Sequence, residues 1–264
     1  MTVSIIIVNF NSGPFLNNCL KSILKNVKVD YEVIVVDNFS TDNSFTESRK
    51  KFEGMQNYIF VQLEENLGFA KANNIGTEYA TGDFLHFLNP DTLLRYDIDE
   101  SYLKAFQDIG KIYVHLLENP DGCIVNRGHR LPLVGVIIKS LYSGNYHKWY
   151  LGASVLVHKR TFELIGKWNE SYWMFAEDLD LFYKCYQKKV EVEILPSVVY
   201  HAGGVSCVSI WSMKERERMV NRSFRLFFKI NSIYWHYPVL RIMLGMNKIF
   251  KNIGIYCFSE KHTF

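Results

Sequence analysis

The chain has 264 residues, of which 48% are hydrophobic and 22% are charged, and this balance predicts one large folded domain or two small ones. A formal net charge of +3 is too small for a nucleic-acid-binding protein, which would carry a basic stripe. The five cysteines are scattered and never spaced as C-x-x-C, so neither a disulfide framework nor a zinc site is predicted. No leader pattern precedes the first strand, and we expect a cytoplasmic protein.

The first hundred residues alternate between strand and helix patterns. Apolar, β-branched runs predict strands at 3–8, 33–36, 58–62 and 84–88. Between them, apolar residues at helical spacing predict three helices, the first capped by Ser12 and with Pro14 in its first turn. The other two helices cover about 43–52 and 70–79. Such alternation predicts parallel βαβ units in a Rossmann-like sheet, but no G-x-G-x-x-G segment follows the first strand, so NAD is not expected.

After Asp99 the pattern is less regular. Short strands are predicted at 112–116 and 152–157, with a turn at 119–122 and a helix at 178–188. We expect this part to be an α+β elaboration of the same sheet.

Carboxylates follow two of the predicted strands. Asp37 comes directly after the second strand, and Asn89-Pro90-Asp91 comes after the fourth. Ligands of open α/β sheets lie in the crevice outside the carboxyl ends of the strands. Together with Glu177-Asp178 and His201, these residues predict an enzyme that handles a charged nucleotide.

Five segments in order resemble family 2 glycosyltransferases of the GT-A fold, and two of them are most similar to bacterial rhamnosyltransferase-like members. The segments are Ser4–Asn11, Val36–Asp42, Asn66–Asn74, Asn89–Asp91 and Glu177–Asp180. The resemblance spans about residues 2–206. It implies an α/β fold with a mostly parallel sheet flanked by helices, a nucleotide-binding half at 1–99 and an acceptor-binding half at 100–210.

The resemblance also implies a site for the donor nucleotide. Asp37 would accept a hydrogen bond from the ring imide of uracil or thymine, and the segment from Val8 to Asn11 would line the base. The residues predicted to bind the nucleotide are Val8, Asn9, Asn11, Asp37, Asn66, Gly68, Lys71 and Asn89. Considered by itself, an aspartate after a strand also fits a turn or helix cap.

Asn89-Pro90-Asp91 stands where many relatives carry Asp-x-Asp, so an amide replaces the first carboxylate. By the resemblance, Asp91 and His201 contact Mg²⁺ or Mn²⁺, which would bridge the two phosphates of the donor. The residues alone leave two structural alternatives open, because Asn-Pro-Asp suits a type I turn and a lone histidine is usually structural.

Glu177 and Asp178 are the predicted catalytic residues. In the family the second acid of this pair takes the proton of the acceptor hydroxyl, and we assign that role to Asp178. The reaction would be a single displacement with inversion at the anomeric carbon. Acids at the start of a helix are also favoured by the helix dipole, so the residues alone allow a purely structural role.

The resemblance therefore predicts an inverting glycosyltransferase. It would move a sugar from dTDP-rhamnose or a UDP-sugar to a saccharide acceptor, carried on a lipid, in bacterial surface polysaccharide synthesis. Two alternatives are a sugar nucleotidyltransferase and a non-catalytic nucleotide-sugar-binding protein. The nucleotidyltransferase would need a basic, glycine-rich loop after the first strand, and residues 9–13 contain no basic side chain.

Residues 211–264 are predicted to form a C-terminal helical extension that contacts the inner face of an anionic membrane without crossing it. Basic side chains outnumber acids there and alternate with aromatic ones, which favour the membrane interface. The basic residues are Arg216, Arg218, Arg222, Arg225, Lys229, Arg241, Lys248 and Lys251. The aromatic ones are Trp211, Phe224, Phe227, Phe228, Tyr234, Trp235 and Tyr237. The alternative is a helical hairpin whose aromatic face packs on the domain.

Overall fold

The computed structural model describes residues 1–104, 108–126, 128–131, 133, 147–203 and 210–238. Strands and helices are numbered in chain order within these ranges. The strands are β1 Val3–Asn9, β2 Tyr31–Asp37, β3 Tyr58–Gln62, β4 Phe84–Leu88, β5 Thr92–Leu94, β6 Lys111–Glu118, β7 Ile124–Val125, β8 His129–Arg130, β9 Lys148–Trp149, β10 Ser154–His158 and β11 Glu191–His201. The helices are α1 Phe15–Asn26, α2 Ser44–Phe52, α3 Phe69–Glu78, α4 Glu100–Lys104, α5 Lys159–Ile165, α6 Glu177–Lys188 and α7 Met213–Ile230.

The predicted βαβ units are confirmed. β1, β2, β3 and β4 pair in parallel in the order β3-β2-β1-β4, and β3 and β4 have the predicted bounds. All seven residues of β1 are buried, because helices cover both faces of the sheet. Ile5 and Ile7 pack into the cluster that contains the apolar face of α1, whereas Ile6 and Val8 pack into the cluster that contains α3.

The strand order β3-β2-β1-β4 determines where a ligand site can form. The chain moves from β1 to β2 on one side, and β4 pairs with β1 on the other. The crevice at the carboxyl ends of β1 and β4 is therefore a topological switch point, where α/β sheets bind ligands. Asn9 ends β1, Asp37 ends β2, and Asn89 follows β4.

The second half of the chain extends the same sheet with mixed pairing. β10 lies antiparallel between β4 and β6, and β11 pairs in parallel with β6 and antiparallel with the short strand β5. The sequence patterns did not predict β5. Its pairing places His201, the last residue of β11, opposite Thr92 and therefore next to Asp91.

Two local details differ from the sequence-based expectation. Ser12 does not cap α1 with its side chain; its hydroxyl donates to Asn9 Oδ1, and its carbonyl accepts the Phe15 amide at 3.1 Å. Pro14 is the N-cap residue of α1, and its side chain forms no capping hydrogen bond.

The membrane prediction needs a correction in its described part. Phe224, Phe227 and Phe228 of α7 are buried in the core, so they are not available to contact a membrane. Arg216 is also buried. This part of the chain follows the alternative in which aromatic side chains pack on the domain. Residues 239–264, which include Arg241, Lys248 and Lys251, lie outside the described residues.

One core cluster contains residues from all three predicted parts of the chain, including Val8, Phe182 and Phe227. The division into 1–99, 100–210 and 211–264 stays a prediction. Within the described ranges, no helix combines the length and apolarity that crossing a bilayer requires.

Candidate active site

A cavity of about 200 Å³ lies at the carboxyl ends of the central strands. Seven of the residues predicted for the site line it: Val8, Asn66, Asn89, Asp91, Glu177, Asp178 and His201. They come from β1, from the loops before α3 and after β4, and from α6 and β11. The fold thus gathers residues separated by almost two hundred positions into one pocket.

Asp91 and His201 form the first pair in this cavity. His201 Nε2 lies 3.3 Å from Asp91 Oδ1, and both side chains are more than 90% buried. Burial lowers the pKa of His201, but the neighbouring Asp91 carboxylate outweighs it, so the net pKa is raised. The peptide around Asp91 is fixed, because its carbonyl accepts the Ala202 amide at 3.0 Å. The loop after β4 and the end of β11 are therefore held together.

Asn89 completes this corner of the cavity. Its carbonyl accepts the Thr92 amide at 3.2 Å and the Thr92 hydroxyl at 2.7 Å, which closes the Asn-Pro-Asp turn. Its side-chain Oδ1 is buried and has no hydrogen-bond partner in the described structure. An unpaired buried amide oxygen is costly, and a bound cation or phosphate-linked water would satisfy it.

The donor atoms of this corner fit an oxygen-seeking divalent cation. Mg²⁺ and Mn²⁺ are commonly held by one or two carboxylates, with substrate phosphates and water completing the shell. Within the described ranges there is no cluster of three or more His, Cys, Asp or Glu side chains that could hold a metal by itself. Asp91 and His201, with the Asn89 oxygen nearby, would therefore hold such an ion together with a phosphate-bearing substrate.

Glu177 and Asp178 begin α6 and form the second pair. The two residues before them, Phe175 and Ala176, have positive φ angles of 66° and 64°, a conformation that side chains other than glycine rarely adopt. This strained turn starts the helix at the cavity, so both acids lie on its wall. Glu177 is 8% exposed, and its Oε2 has no hydrogen-bond partner.

The two acids affect each other's ionisation. Burial, followed by the neighbouring Asp178, raises the pKa of Glu177. Burial also raises the pKa of Asp178, although the amides of Leu179 and Gly152 oppose that rise. The Leu179 amide donates to Asp178 Oδ1 at 2.8 Å. Because Asp178 has these donors and Glu177 Oε2 has none, Glu177 is the acid that more readily keeps a proton.

The predicted loop residue Gly68 connects the two sides of the site but does not line the cavity. The Phe69 amide donates to the Trp173 carbonyl at 3.0 Å, and Trp173 Nε1 donates to the Asn66 carbonyl at 3.2 Å. Asn38, which was not among the predicted site residues, accepts the Leu67 amide at 2.8 Å and donates to Asn66 Oδ1 at 3.0 Å. The loop before α3 is thereby fixed against the turn that leads to the acid pair.

Asn9, Asn11 and Asp37 do not line the cavity. Asp37 is fully buried; its Oδ1 accepts from Asn9 Nδ2 at 2.8 Å and its Oδ2 accepts the Ser40 amide at 3.1 Å. Asn11 Oδ1 accepts the Thr41 amide at 2.7 Å. These contacts order the turn after β2. Recognition of a base by Asp37 stays a prediction.

Lys71 is exposed on α3 and lies outside the cavity lining. Several lining residues were not predicted. They are Asn38, Phe69, Pro90, Leu151, Gly152, Ala153, Met174, Phe175, Gly203, Trp211 and Arg216. Phe10, which also lines the cavity, belongs to the segment predicted to line the base. Some adjoin recognised motifs, which is the signal that could have found them. Trp211 and Arg216 were instead assigned to the membrane-contacting extension.

Comparison with known proteins agrees with this geometry. Residues 4–162, more than half of the chain, match the family described as Glycosyl transferase family 2. The chain belongs to this family. The sequence motifs predicted this family, whereas the rhamnosyltransferase-like subtype stays a prediction.

Among relatives, the chain is 26% identical over 187 residues to glycosyltransferase GlyG of Streptococcus pneumoniae serotype 4, covering 67% of this chain and 62% of GlyG. It is 35% identical over 113 residues to the poly(ribitol-phosphate) beta-N-acetylglucosaminyltransferase TarP of Staphylococcus aureus (strain N315), covering 41% of this chain and 33% of TarP. The chain therefore spans less than two thirds of the length of these relatives.

Solved structures confirm the GT-A fold of the chain. The crystal structure of S. aureus TarS 1-349 aligns with a TM-score of 0.60 and 19% identity, covering 95% of this chain and 74% of that one. The crystal structure of GalNAc-T7 with UDP, GalNAc and Mn²⁺ aligns with a TM-score of 0.61 and 17% identity, covering 97% of this chain and 58% of that one.

Proposed function

We propose that this glycosyltransferase moves a sugar, with inversion, from a UDP- or dTDP-linked donor to a saccharide acceptor during synthesis of a bacterial cell-surface polymer. The observation that carries the proposal is that the acid pair of α6 and the Asp91–His201 pair line the same cavity. The acid pair can deprotonate an acceptor, and the Asp91–His201 pair can hold the phosphates of a donor with their counter-ion.

The names of relatives support the polymer and the donor. TarP is described as acting on poly(ribitol-phosphate), and a 31% identical relative over 109 residues is a teichoic acid poly(glycerol phosphate) polymerase of Staphylococcus epidermidis. TarS 1-349 was crystallised with UDP, and GalNAc-T7 with UDP and Mn²⁺. These descriptions favour a UDP-sugar over dTDP-rhamnose, although both remain within the proposal.

Asp178 is the proposed base. Its raised pKa makes it a stronger base than an exposed aspartate while leaving it ionised at neutral pH, and general bases work best near the ambient pH. Glu177, which more readily keeps a proton, donates a hydrogen bond to a substrate hydroxyl and lowers the charge beside the base. The acceptor oxygen then attacks the anomeric carbon from the face opposite the nucleotide.

The leaving diphosphate gains negative charge in this step. Asp91 and His201 would hold Mg²⁺ or Mn²⁺, and such an ion, when bound, offsets the charge on the diphosphate. The turn at Asn89 and the contact between Asp91 and Ala202 keep these ligands in place before the donor arrives. Because Asn89 stands where an Asp-x-Asp site has its first carboxylate, the residues around Asp91 carry one negative charge fewer than such a site.

The proposal also includes attachment of the protein to the inner face of the cytoplasmic membrane, beside a lipid-linked acceptor. Tyr234 and Trp235 are 55% and 59% exposed after α7 and suit an interfacial role, unlike the buried phenylalanines of that helix. Co-sedimentation with anionic vesicles, and its loss with added salt, is the expected result. Absence of binding at low salt would contradict the membrane part without affecting the catalytic part.

The catalytic proposal is tested by nucleotide release. The protein is incubated with a panel of UDP-sugars and dTDP-rhamnose, with and without Mn²⁺ and with saccharide acceptors. We expect metal-dependent release of one nucleotide that requires an acceptor, and NMR of the product should show an inverted anomeric configuration. A retained configuration would contradict the single displacement. Release of pyrophosphate or absence of product would contradict glycosyl transfer.

A further inference from the structure

Arg216 occupies an unusual position for an arginine. It is 8% exposed and lines the cavity, on the same face of α7 as Val220, Ser223 and Phe227. The spacings of four, seven and eleven residues place all four on the stripe that faces the domain. Arginine is seldom buried in a stripe of core residues unless its charge is paired.

The helix that carries Arg216 is firmly attached to the catalytic elements. The Ser223 hydroxyl donates to the Met174 carbonyl at 2.7 Å, in the turn that precedes the acid pair. Asn231 Nδ2, just after the helix, donates to Asp180 Oδ1 of α6 at 3.1 Å. Phe227 contacts Tyr183 of α6 edge to face, with ring centroids 5.3 Å apart. These contacts fix the position of α7, and therefore of the Arg216 backbone, on the domain.

α7 and the segment just before it contact both sides of the site. Just before it, Trp211 stacks on Phe10 of the β1 segment, with ring centroids 6.3 Å apart. Seven residues after Arg216, Ser223 contacts the loop that leads to the acid pair. Trp211 also contacts Trp173 in that loop edge to face, with ring centroids 5.8 Å apart, so the segment that carries Arg216 meets both sides of the site. The base is predicted to bind on the β1 side, and the acid pair follows the Trp173 loop. In a nucleotide-sugar the diphosphate lies between the base and the sugar.

Arg216 brings a permanent positive charge into the cavity. Among the described residues that line it, Arg216 is the sole lysine or arginine, and it faces a space shared with Asp91, Glu177 and Asp178. A guanidinium binds phosphate oxygens in a bidentate fork, and it stays ionised at all relevant pH values. A neutral saccharide acceptor has no group that would use this charge as well.

We propose that Arg216 binds the diphosphate of the donor and stabilises it as it leaves. This inference rests on the proposed function, because it assumes a nucleotide-sugar in the cavity. It makes α7 part of the donor site, and it provides a positive charge from the protein that does not depend on the metal corner.

The test compares a ligand that has the diphosphate with one that lacks it. UDP binding is measured by calorimetry with Mn²⁺, and uridine binding by an NMR titration; dTDP and thymidine replace them if the protein uses thymine nucleotides. The variants are Arg216→Gln and Arg216→Lys. The matched control is Arg218→Gln, because Arg218 is on the same helix and exposed to solvent. Thermal unfolding confirms that each variant is folded.

We expect Arg216→Gln to weaken UDP binding by about 10- to 100-fold, the usual effect of losing a charged hydrogen bond, and to leave uridine binding unchanged. Arg216→Lys should show a smaller loss, because it keeps the charge without the fork, and Arg218→Gln should show none. If Arg216→Gln does not fold, Arg216→Lys provides the same comparison. Unchanged UDP binding, or an equal loss for uridine, would overturn this inference. A wild-type protein that binds neither nucleotide would instead contradict the proposed function.

Discussion

Gly68→Ala should separate the loop before α3 from the turn that leads to the acid pair. Gly68 has φ 83° and ψ 169°, a backbone region that is essentially restricted to glycine. A Cβ at this position would lie 2.2 Å from the Trp173 carbonyl oxygen, which is far closer than real contacts allow. Either the loop before α3 or the turn at Trp173 has to move.

The expected cost has two parts. Holding alanine in this backbone region costs about 1–3 kcal/mol. Moving the two segments apart also weakens the Phe69–Trp173 and Trp173–Asn66 hydrogen bonds, each worth about 0.5–1.5 kcal/mol. Together we expect the free energy of unfolding to fall by roughly 2–6 kcal/mol. Turnover should fall as well, because the same turn positions Glu177 and Asp178.

Urea unfolding followed by fluorescence measures the stability change, and nucleotide release at a temperature where the variant is folded measures turnover. Gly122→Ala is the matched control, because Gly122 has φ 77° and a Cβ there would meet no atom within 4 Å. That variant loses about 1–2 kcal/mol from the positive φ alone. If Gly68→Ala costs no more than Gly122→Ala and keeps full turnover, the proposed connection between the loop and the acid pair is wrong.

Three further predictions concern the acids, the metal corner and a buried histidine. Asp178→Asn should leave UDP binding intact and lower turnover by roughly 10²-fold or more, and near wild-type turnover at saturating acceptor would refute its role as base. Asp91→Ala should abolish metal-dependent donor binding, whereas Asn89→Ala should weaken it less, because only a carboxylate offsets the charge of the cation. Equal small losses of binding in calorimetry would exclude Asp91 as a metal ligand. Burial lowers the pKa of His86 from 6.5 to about 4. As the pH falls from 6.5 to about 4, the histidine of the unfolded chain is protonated before that of the folded chain. The free energy of unfolding should therefore fall by roughly 3 kcal/mol over this range. His86→Phe should make that fall shallower in urea unfolding at several pH values, and an unchanged slope would contradict the reasoning.

The sequence determined much of the first half of the fold. The apolar runs of β3 and β4 predicted the bounds found in the structure. β4 is uninterrupted because all five of its residues are buried inside the sheet, whereas β3 is an edge strand whose residues are mostly half-buried. The start of α6 at the acid pair was predicted within one residue, and Asp91, His201, Glu177 and Asp178 all line the cavity as expected. The ends of strands and helices depend on residues that are close in sequence, so the sequence alone can predict them.

The tertiary structure alone decided which neighbours of these motifs face the cavity. Asn9 and Asp37 are turned into a buried network, whereas Lys71, in an equally recognisable segment, is exposed on α3. The basic and aromatic composition of α7 suits a membrane surface as well as a packed helix. Contacts between residues far apart in sequence, such as Ser223 with Met174, fix α7 on the domain and bring Arg216 into the site. A composition pattern carries no information about such partners, because burial depends on what the rest of the chain places opposite each face.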